Sequence, residues 1–295
     1  MKNMLESLRA GKVLLCDGAM GTELQARGLE PGTCPELWCL DHVDEVVAIH
    51  QAYREAGSDI VECNSFGGTR YKLSHYGLAD RCVEINTAAS QLARSVAGHT
   101  QYVLGSMGPT GAMLEPYGDE TEEDFFAAFS EQAKGLSAGG ADVIIIETMT
   151  ALEEALVALR AVRAAAPELP CIVSMTFDPV ATGGYATMMG VRPAQFAEAC
   201  MEAGADMIGT NCGTGIDDMA VIVGQLYAVT SGQVPIMAMP NAGMPEIVDG
   251  RTVFRESPAQ MADKVGLLLE AGARMIGGCC GTSPAHIAAL RSVIR

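Results

Sequence analysis

The sequence predicts an α/β chain folded as a (β/α)8 TIM barrel, one domain over residues 1–295. Two observations carry this reading: a short joint that recurs four times, and eight apolar runs separated by amphipathic stretches. The joint is Ala56-Gly57-Ser58-Asp59, then Gly139-Gly140-Ala141-Asp142, Ala203-Gly204-Ala205-Asp206 and Ala271-Gly272-Ala273-Arg274. Each is a helix-ending glycine and a tight turn that leads into an apolar run, at 60–64, 143–147, 207–211 and 275–279. That is the α-to-β step of a β/α unit.

Four more runs lie between them, at 13–15, 102–104, 171–173 and 235–239. All eight are short and nearly free of charge, as strands buried on both faces must be. The stretches Glu122–Ala138, 152–166, 193–203 and Pro258–Ala271 have helical periodicity. Arg192-Pro193 and Ser257-Pro258 read as helix starts, because proline suits the first turn. A doubly wound open sheet also alternates strand and helix, but the repeats run the whole chain without a switch point.

Composition agrees with a large packed domain. Hydrophobic residues make up 49% of the chain and charged residues 19%. The formal net charge is −17, which disfavours phosphate backbones and anionic membranes, so neither nucleic acid nor membrane is expected as a partner. Residues 1–11 lack the apolar core of a signal peptide and no run reaches membrane-spanning length, so a cytoplasmic location is expected. Ten cysteines in such a chain should be reduced, serving as core residues or as metal and catalytic thiols.

A barrel places its chemistry at the C-terminal ends of its strands. Asp17, Asn64, Ser106, Glu147, Asp178, Asn211, Cys212, Asn241, Cys279 and Cys280 all fall there. Cys212, Cys279 and Cys280 stand out. Three thiolates fill three positions of a tetrahedral zinc and leave the fourth exchangeable, the pattern of a catalytic site. An incoming thiol in that fourth place would be held as the thiolate, a nucleophile able to accept a methyl group. Gly277, Gly278 and Gly281 are expected to give the adjacent pair the backbone freedom to turn toward one ion. The alternatives are small core residues or a strained vicinal disulfide.

Cys16, Cys63, Cys82, Cys171 and Cys200 read as core, and Cys34 and Cys39 as loop thiols with a loose potential for metal. Met188, Met189, Met237 and Met239 read as core filler. The five histidines lack zinc-ligand spacing, and His286 is expected on the exposed face of a final helix. Asp17 is either a helix cap or a binding residue in an exposed glycine-rich loop. Glu147, ending an apolar strand, must be paired.

These residues resemble the homocysteine S-methyltransferase family over essentially the whole chain. The likeness runs through Asp17-Gly18-Ala19-Met20-Gly21-Thr22, Asn64-Ser65-Phe66-Gly67, Gly105-Ser106-Met107-Gly108-Pro109, Glu147-Thr148-Met149 and Ser174-Met175-Thr176-Phe177-Asp178. It continues through Asn211-Cys212-Gly213-Thr214-Gly215, Pro240-Asn241-Ala242-Gly243 and Gly277-Gly278-Cys279-Cys280-Gly281-Thr282. The resemblance implies zinc on Cys212, Cys279 and Cys280. It implies that the loop with Asp17, Gly21 and Thr22, together with Glu147, holds the amino acid end of homocysteine. Asp178 and Asn211 are expected to support that network, and Asn241 matches a position implied to fill the fourth zinc place when substrate is absent.

The details around Cys212 and Cys280 are closer to the homocysteine-binding domain of cobalamin-dependent methionine synthase than to the betaine or S-methylmethionine branches. The sequence ends fifteen residues after Cys280, so the expected donor is a methyl-corrinoid carried by a separate protein. A betaine or sulfonium donor, another thiol substrate, a thiol-binding scaffold and a metal-free barrel enzyme are the alternatives.

Overall fold

In the computed structural model, residues 4–248 and 251–294 are described. Eight parallel strands form the barrel: β1 (Leu14–Leu15), β2 (Ile60–Glu62), β3 (Tyr102–Met107), β4 (Val143–Met149), β5 (Cys171–Met175), β6 (Met207–Asn211), β7 (Ile236–Met239) and β8 (Ala273–Ile276). All eight expected runs are strands. The helices Glu122–Ala138, Leu152–Ala165, Pro193–Glu202 and Pro258–Ala271 lie where the periodicity put them.

The ladder runs β1-β8-β7-β6-β5-β4-β3-β2. The seam between β1 and β2 is closed by aspartates. Asp59 N–H donates to the Leu15 carbonyl at 2.7 Å, and Asp59 Oδ2 accepts the Leu15 N–H at 2.9 Å. Further up, Asp17 Oδ2 accepts the Glu62 N–H at 2.8 Å. A side chain here does what a backbone carbonyl does elsewhere in the barrel.

Two apolar layers follow from strand parity, since successive side chains point to opposite faces. Leu14, Ile60, Leu104, Val143, Ile145, Ile172, Met207, Met237, Met239 and Met275 fill the interior. Val61, Val103, Ile144, Ile146, Val173 and Ile208 pack outward against the helices. The helix Met4–Arg9 closes the bottom, with Met4, Leu5 and Leu8 buried in the interior layer. Counting upward in twos from the interior residues gives Glu62, Ser106, Glu147, Ser174, Asn211, Asn241 and Cys279. The fold thus aims a ring of polar side chains into the open top.

Two small hairpins decorate that top, Asp178–Pro179 with Tyr185–Ala186 and Glu246–Val248 with Arg251–Val253. Met188 and Met189, read as core from sequence, are exposed beside the first hairpin (83% and 45%). Apolar character alone does not place a residue inside. His286 is buried rather than exposed: Nδ1 accepts the Ser283 N–H at 3.1 Å, and Nε2 lies 3.0 Å from the Glu256 carbonyl. It thereby caps the helix Pro284–Val293 and ties it to the chain ahead of the preceding helix.

Candidate metal centre and amino acid pocket

Cys212 follows β6 directly, and Cys279 and Cys280 lie three and four residues beyond β8. Cys212 N–H donates to the Met239 carbonyl at 3.1 Å and Cys279 N–H to the Pro240 carbonyl at 2.8 Å. Both cysteine segments are therefore anchored to the end of β7 that lies between them. The three Sγ atoms lie within 4.8 Å of one another, with Cys212 and Cys280 at 3.9 Å. Tetrahedral zinc–thiolate bonds of about 2.3 Å would set sulfurs about 3.8 Å apart. The Cys212–Cys280 pair matches that spacing, and Cys279 lies within 4.8 Å of both.

The glycines around the pair work differently from the sequence reading. Gly277 and Gly278 do not adopt positive φ; they are needed because a Cβ would strike Cys16 and Thr282 respectively. Only Gly281 combines the two demands, with φ +79° and the Phe254 ring against its missing Cβ. Cys212 itself is left-handed, φ 60°, a conformation that costs a non-glycine residue about 1–3 kcal/mol and is found where a site requires it.

The donor set is chemically prepared for a cation. Hydrogen bonds from Cys279, then Cys280, hold the Cys212 thiol far below the ordinary thiol range, at about 3, while the Cys280 thiol is pushed up to about 11. Asn241 hydrogen-bonds Cys212 through its side chain, while its Oδ1 is buried without a partner. The Asn241 side chain thus reaches the sulfur cluster with its oxygen unpartnered.

The second half of the site is carboxylic. Glu147 Oε1 accepts the Ser106 hydroxyl and Oε2 accepts Asn211 Nδ2 at 3.0 Å. Asn211 Oδ1 accepts the Ser174 hydroxyl at 2.7 Å and the Thr148 N–H at 2.9 Å. Asn211 precedes Cys212, so one residue links the carboxylate to the sulfur centre. Asp17, 1% exposed, lies across the mouth, and burial raises its carboxyl to about 7. It does not cap a helix: helix Met20–Ala26 begins after Ala19 without a side-chain cap. Burial also raises Glu147, and Glu62 well above the usual carboxylate range.

The loop from Asp17 to Thr22 packs on the cysteine loop. Gly278 N–H donates to the Asp17 carbonyl at 3.0 Å, Ala19 N–H to Thr282 Oγ1 at 3.0 Å, and Gly281 N–H to Thr22 Oγ1 at 3.2 Å. Thr22 is therefore a support for the cysteine pair, and Gly21 faces open space. Asp178 stands apart from the carboxylate cluster. It is exposed on the hairpin near Cys212, and partial burial, then the Cys212 charge, raises its carboxyl. Asn64 braces the rim by donating to the Pro35 carbonyl at 2.8 Å.

Cys34 and Cys39 are buried, and among the described residues only Cys212, Cys279 and Cys280 bring three ligand atoms close enough for one metal ion. Sequence reasoning missed Glu62. Its signal was available in the parity of β2, where Glu62 shares the inward face with Ile60.

A parallel barrel with three clustered thiols and buried carboxylates at one mouth is the arrangement of an S-methyltransferase. The homocysteine S-methyltransferase family model matches residues 14–294. The chain belongs to that family. It is 34% identical to methionine synthase of Mycobacterium leprae over 97% of this chain, and 35% identical to that of Mycobacterium tuberculosis over 94%. It spans 24% of the length of each. The metallated form of the Escherichia coli homocysteine methyltransferase MmuM superposes with TM-score 0.79 at 25% identity, covering 98% of this chain and 99% of that one.

Proposed function

We propose that the protein transfers a methyl group to the sulfur of homocysteine, giving methionine, and that its donor is a methyl-corrinoid carried by a separate protein. The observation that carries the reading is one mouth holding both halves of a site: three sulfurs within 4.8 Å, joined through Asn211 to a buried carboxylate cluster. Homocysteine has a thiol and an ammonium three carbons apart, one group for each half.

Cys212, Cys279 and Cys280 hold zinc, and bound zinc supplies a Lewis acid that keeps a substrate thiol ionised at neutral pH. Asn241 Oδ1 occupies the space beside the sulfurs until substrate displaces it. Asp17 and Glu147 take the ammonium in charge-assisted hydrogen bonds, with Asn211 fixing the Glu147 carboxylate. Gly21 and Thr22 place the loop whose N–H groups face the substrate carboxylate. Asp178, at the outer edge near Cys212, faces the arriving donor. The enzyme contributes chiefly alignment, holding the sulfur in line with the methyl carbon.

The corrinoid donor is supported by the identity to methionine synthases and by a rim that exposes Phe66, Met113, Tyr117, Met188, Met189 and Met244. Met113, Tyr117 and Met189 line one cleft, an apolar surface that a docking protein would cover. A sulfonium or betaine donor is the second reading, favoured by the end-to-end match to the Escherichia coli enzyme. No described helix is long and apolar enough to cross a membrane. All ten cysteines are free, which suits a reducing cytoplasm.

The test is zinc content by elemental analysis with methionine formation from homocysteine. Methylcobalamin, S-methylmethionine and betaine are compared as donors. One zinc per chain and turnover with methylcobalamin support the reading. Turnover with only the sulfonium or betaine donor replaces the corrinoid, and full activity in metal-free protein overturns the thiolate mechanism.

A further inference from the structure

The loops that carry Asp17 and Cys279 lie beyond their strands, since β1 ends at Leu15 and β8 at Ile276. Above the strand ends, the register of the two loops rests on contacts between them, and a third element enters there. Tyr53, on the helix Val43–Glu55, is fully buried. Its hydroxyl donates to the Ala19 carbonyl at 3.0 Å and stands 3.4 Å from the Thr282 carbonyl. One hydroxyl proton thus faces a carbonyl of each loop.

The hydroxyl of Thr282 closes the same knot. Its Oγ1 accepts the Ala19 N–H at 3.0 Å and donates to the Cys279 carbonyl at 2.7 Å. Ala19, two residues after Asp17, is therefore held at both its N–H and its carbonyl. The knot also explains a glycine. A Cβ on Gly18 would lie 2.7 Å from Thr282 Oγ1 and 3.0 Å from the Tyr53 hydroxyl, so only glycine lets both side chains reach. The helix that carries Tyr53 packs on β2, and a site supported from such an element is held more precisely than one supported by loops alone.

We infer that Tyr53 is a positioning residue, which fixes the loop of Asp17 against the loop of Cys279 and Cys280 so that the amino acid site and the metal site keep one separation. The inference rests on the homocysteine reading and deepens it. Homocysteine spans from thiol to ammonium across three carbons, so its affinity depends on that separation. Zinc affinity depends on where the backbone holds Cys279 and Cys280. Tyr53 acts on both through carbonyls of the two loops, and losing its hydroxyl should disturb both together.

The experiment compares full-length Tyr53→Phe, which loses one oxygen and keeps the ring, with wild type. Zinc affinity is read by competition with a chromogenic chelator, L-homocysteine affinity by calorimetry under excess zinc, and the melting temperature on metal-free protein. Zinc and homocysteine should each bind about tenfold more weakly, the scale of one lost hydrogen bond behind a metal ligand. Thr282→Val opens the knot from the cysteine side and should give the same paired loss; it decides the matter if Tyr53→Phe does not fold. Thr282→Ser keeps the hydroxyl and should bind both as wild type does. A lowered melting temperature with both affinities unchanged makes Tyr53 a residue of the fold alone and overturns the inference. Loss of one affinity without the other also overturns it, because the loops would then be set separately. Wild-type protein that binds zinc but not homocysteine refutes the homocysteine reading instead, before any variant is compared.

Discussion

Asp59 Oδ2 accepts the Leu15 N–H at 2.9 Å, across a seam where the two edge strands of the barrel meet. The same device recurs at the other joints. Asp142 Oδ2 accepts the Val103 N–H at 2.8 Å, and Asp206 Oδ2 accepts the Cys171 N–H at 2.8 Å. Each aspartate also pairs with an arginine on a neighbouring helix: Arg291, Arg94 and Arg163. The fourth joint carries Arg274, which bonds the Leu269 and Ala273 carbonyls instead. The repeated aspartate is a structural clamp that turns one unit onto the next.

Replacing Asp59 with alanine strands the Leu15 N–H at the seam. The expected loss of stability is about 1–3 kcal/mol, the cost of an unsatisfied buried donor. Asp206→Ala should cost less, because β5 and β6 keep a regular ladder around it. Urea unfolding followed by circular dichroism checks both. Equal losses would show that the seam has no special dependence on its side chain.

Gly281→Ala should damage the metal centre more than the fold. The added Cβ meets the Phe254 ring, and φ +79° is unfavourable for alanine. Relief requires the loop to shift, which moves Cys280 relative to Cys212. Zinc affinity is expected to fall about 10–100-fold, the range for disturbing the surroundings of a metal ligand. Competition with a chromogenic chelator reads it. Gly21→Ala is the control: a Cβ there meets nothing within 4 Å, and zinc affinity should not change.

Much of this was legible beforehand because it follows from periodicity. All eight apolar runs are strands, and glycine-flanked Cys279 and Cys280 meet Cys212 at one mouth as the sequence expects. What escaped depended on packing. Gly277 and Gly278 read as hinges, but their role is to let Cys16 and Thr282 approach, which no local pattern reveals. Met188 and Met189 looked like filler because hydropathy does not distinguish a rim from a core. Glu62 was hidden between apolar neighbours and a cysteine; only the alternation in β2 turns it inward. The last residue of each apolar run is best read by parity from the interior residues below it.

Asn211→Ala should separate the two halves of the site. It removes the 3.0 Å bond to Glu147 and leaves the Ser174 hydroxyl and Thr148 N–H without their acceptor. Zinc content is expected to hold, because no cysteine anchor is lost. KM for homocysteine should rise about tenfold, as one charge-assisted bond now has to be ordered by the substrate itself. Steady-state kinetics with parallel zinc analysis checks it. Zinc lost along with affinity would mean that Asn211 supports the sulfurs rather than the carboxylate.

Product binding should depend on pH through Asp17. Burial raises this carboxyl from the ordinary 3.8 to about 7 in the folded protein. The native state therefore keeps a proton that the unfolded chain gives up between about pH 4 and 7. By linkage the contribution of Asp17 to stability falls as pH rises through that window. Asp17→Asn abolishes this dependence, so the melting temperature of the variant relative to wild type should rise between pH 5 and pH 8. An ammonium ligand reverses the balance, because it favours the ionised carboxylate. Methionine carries the ammonium but has no thiol proton to lose, so its affinity isolates the effect. It should tighten from pH 6 to pH 8 in wild type and tighten less in Asp17→Asn, where Glu147 alone keeps a raised carboxyl beside the ammonium. Calorimetric titrations across that range decide it, and a flat wild-type profile would place the ammonium away from Asp17.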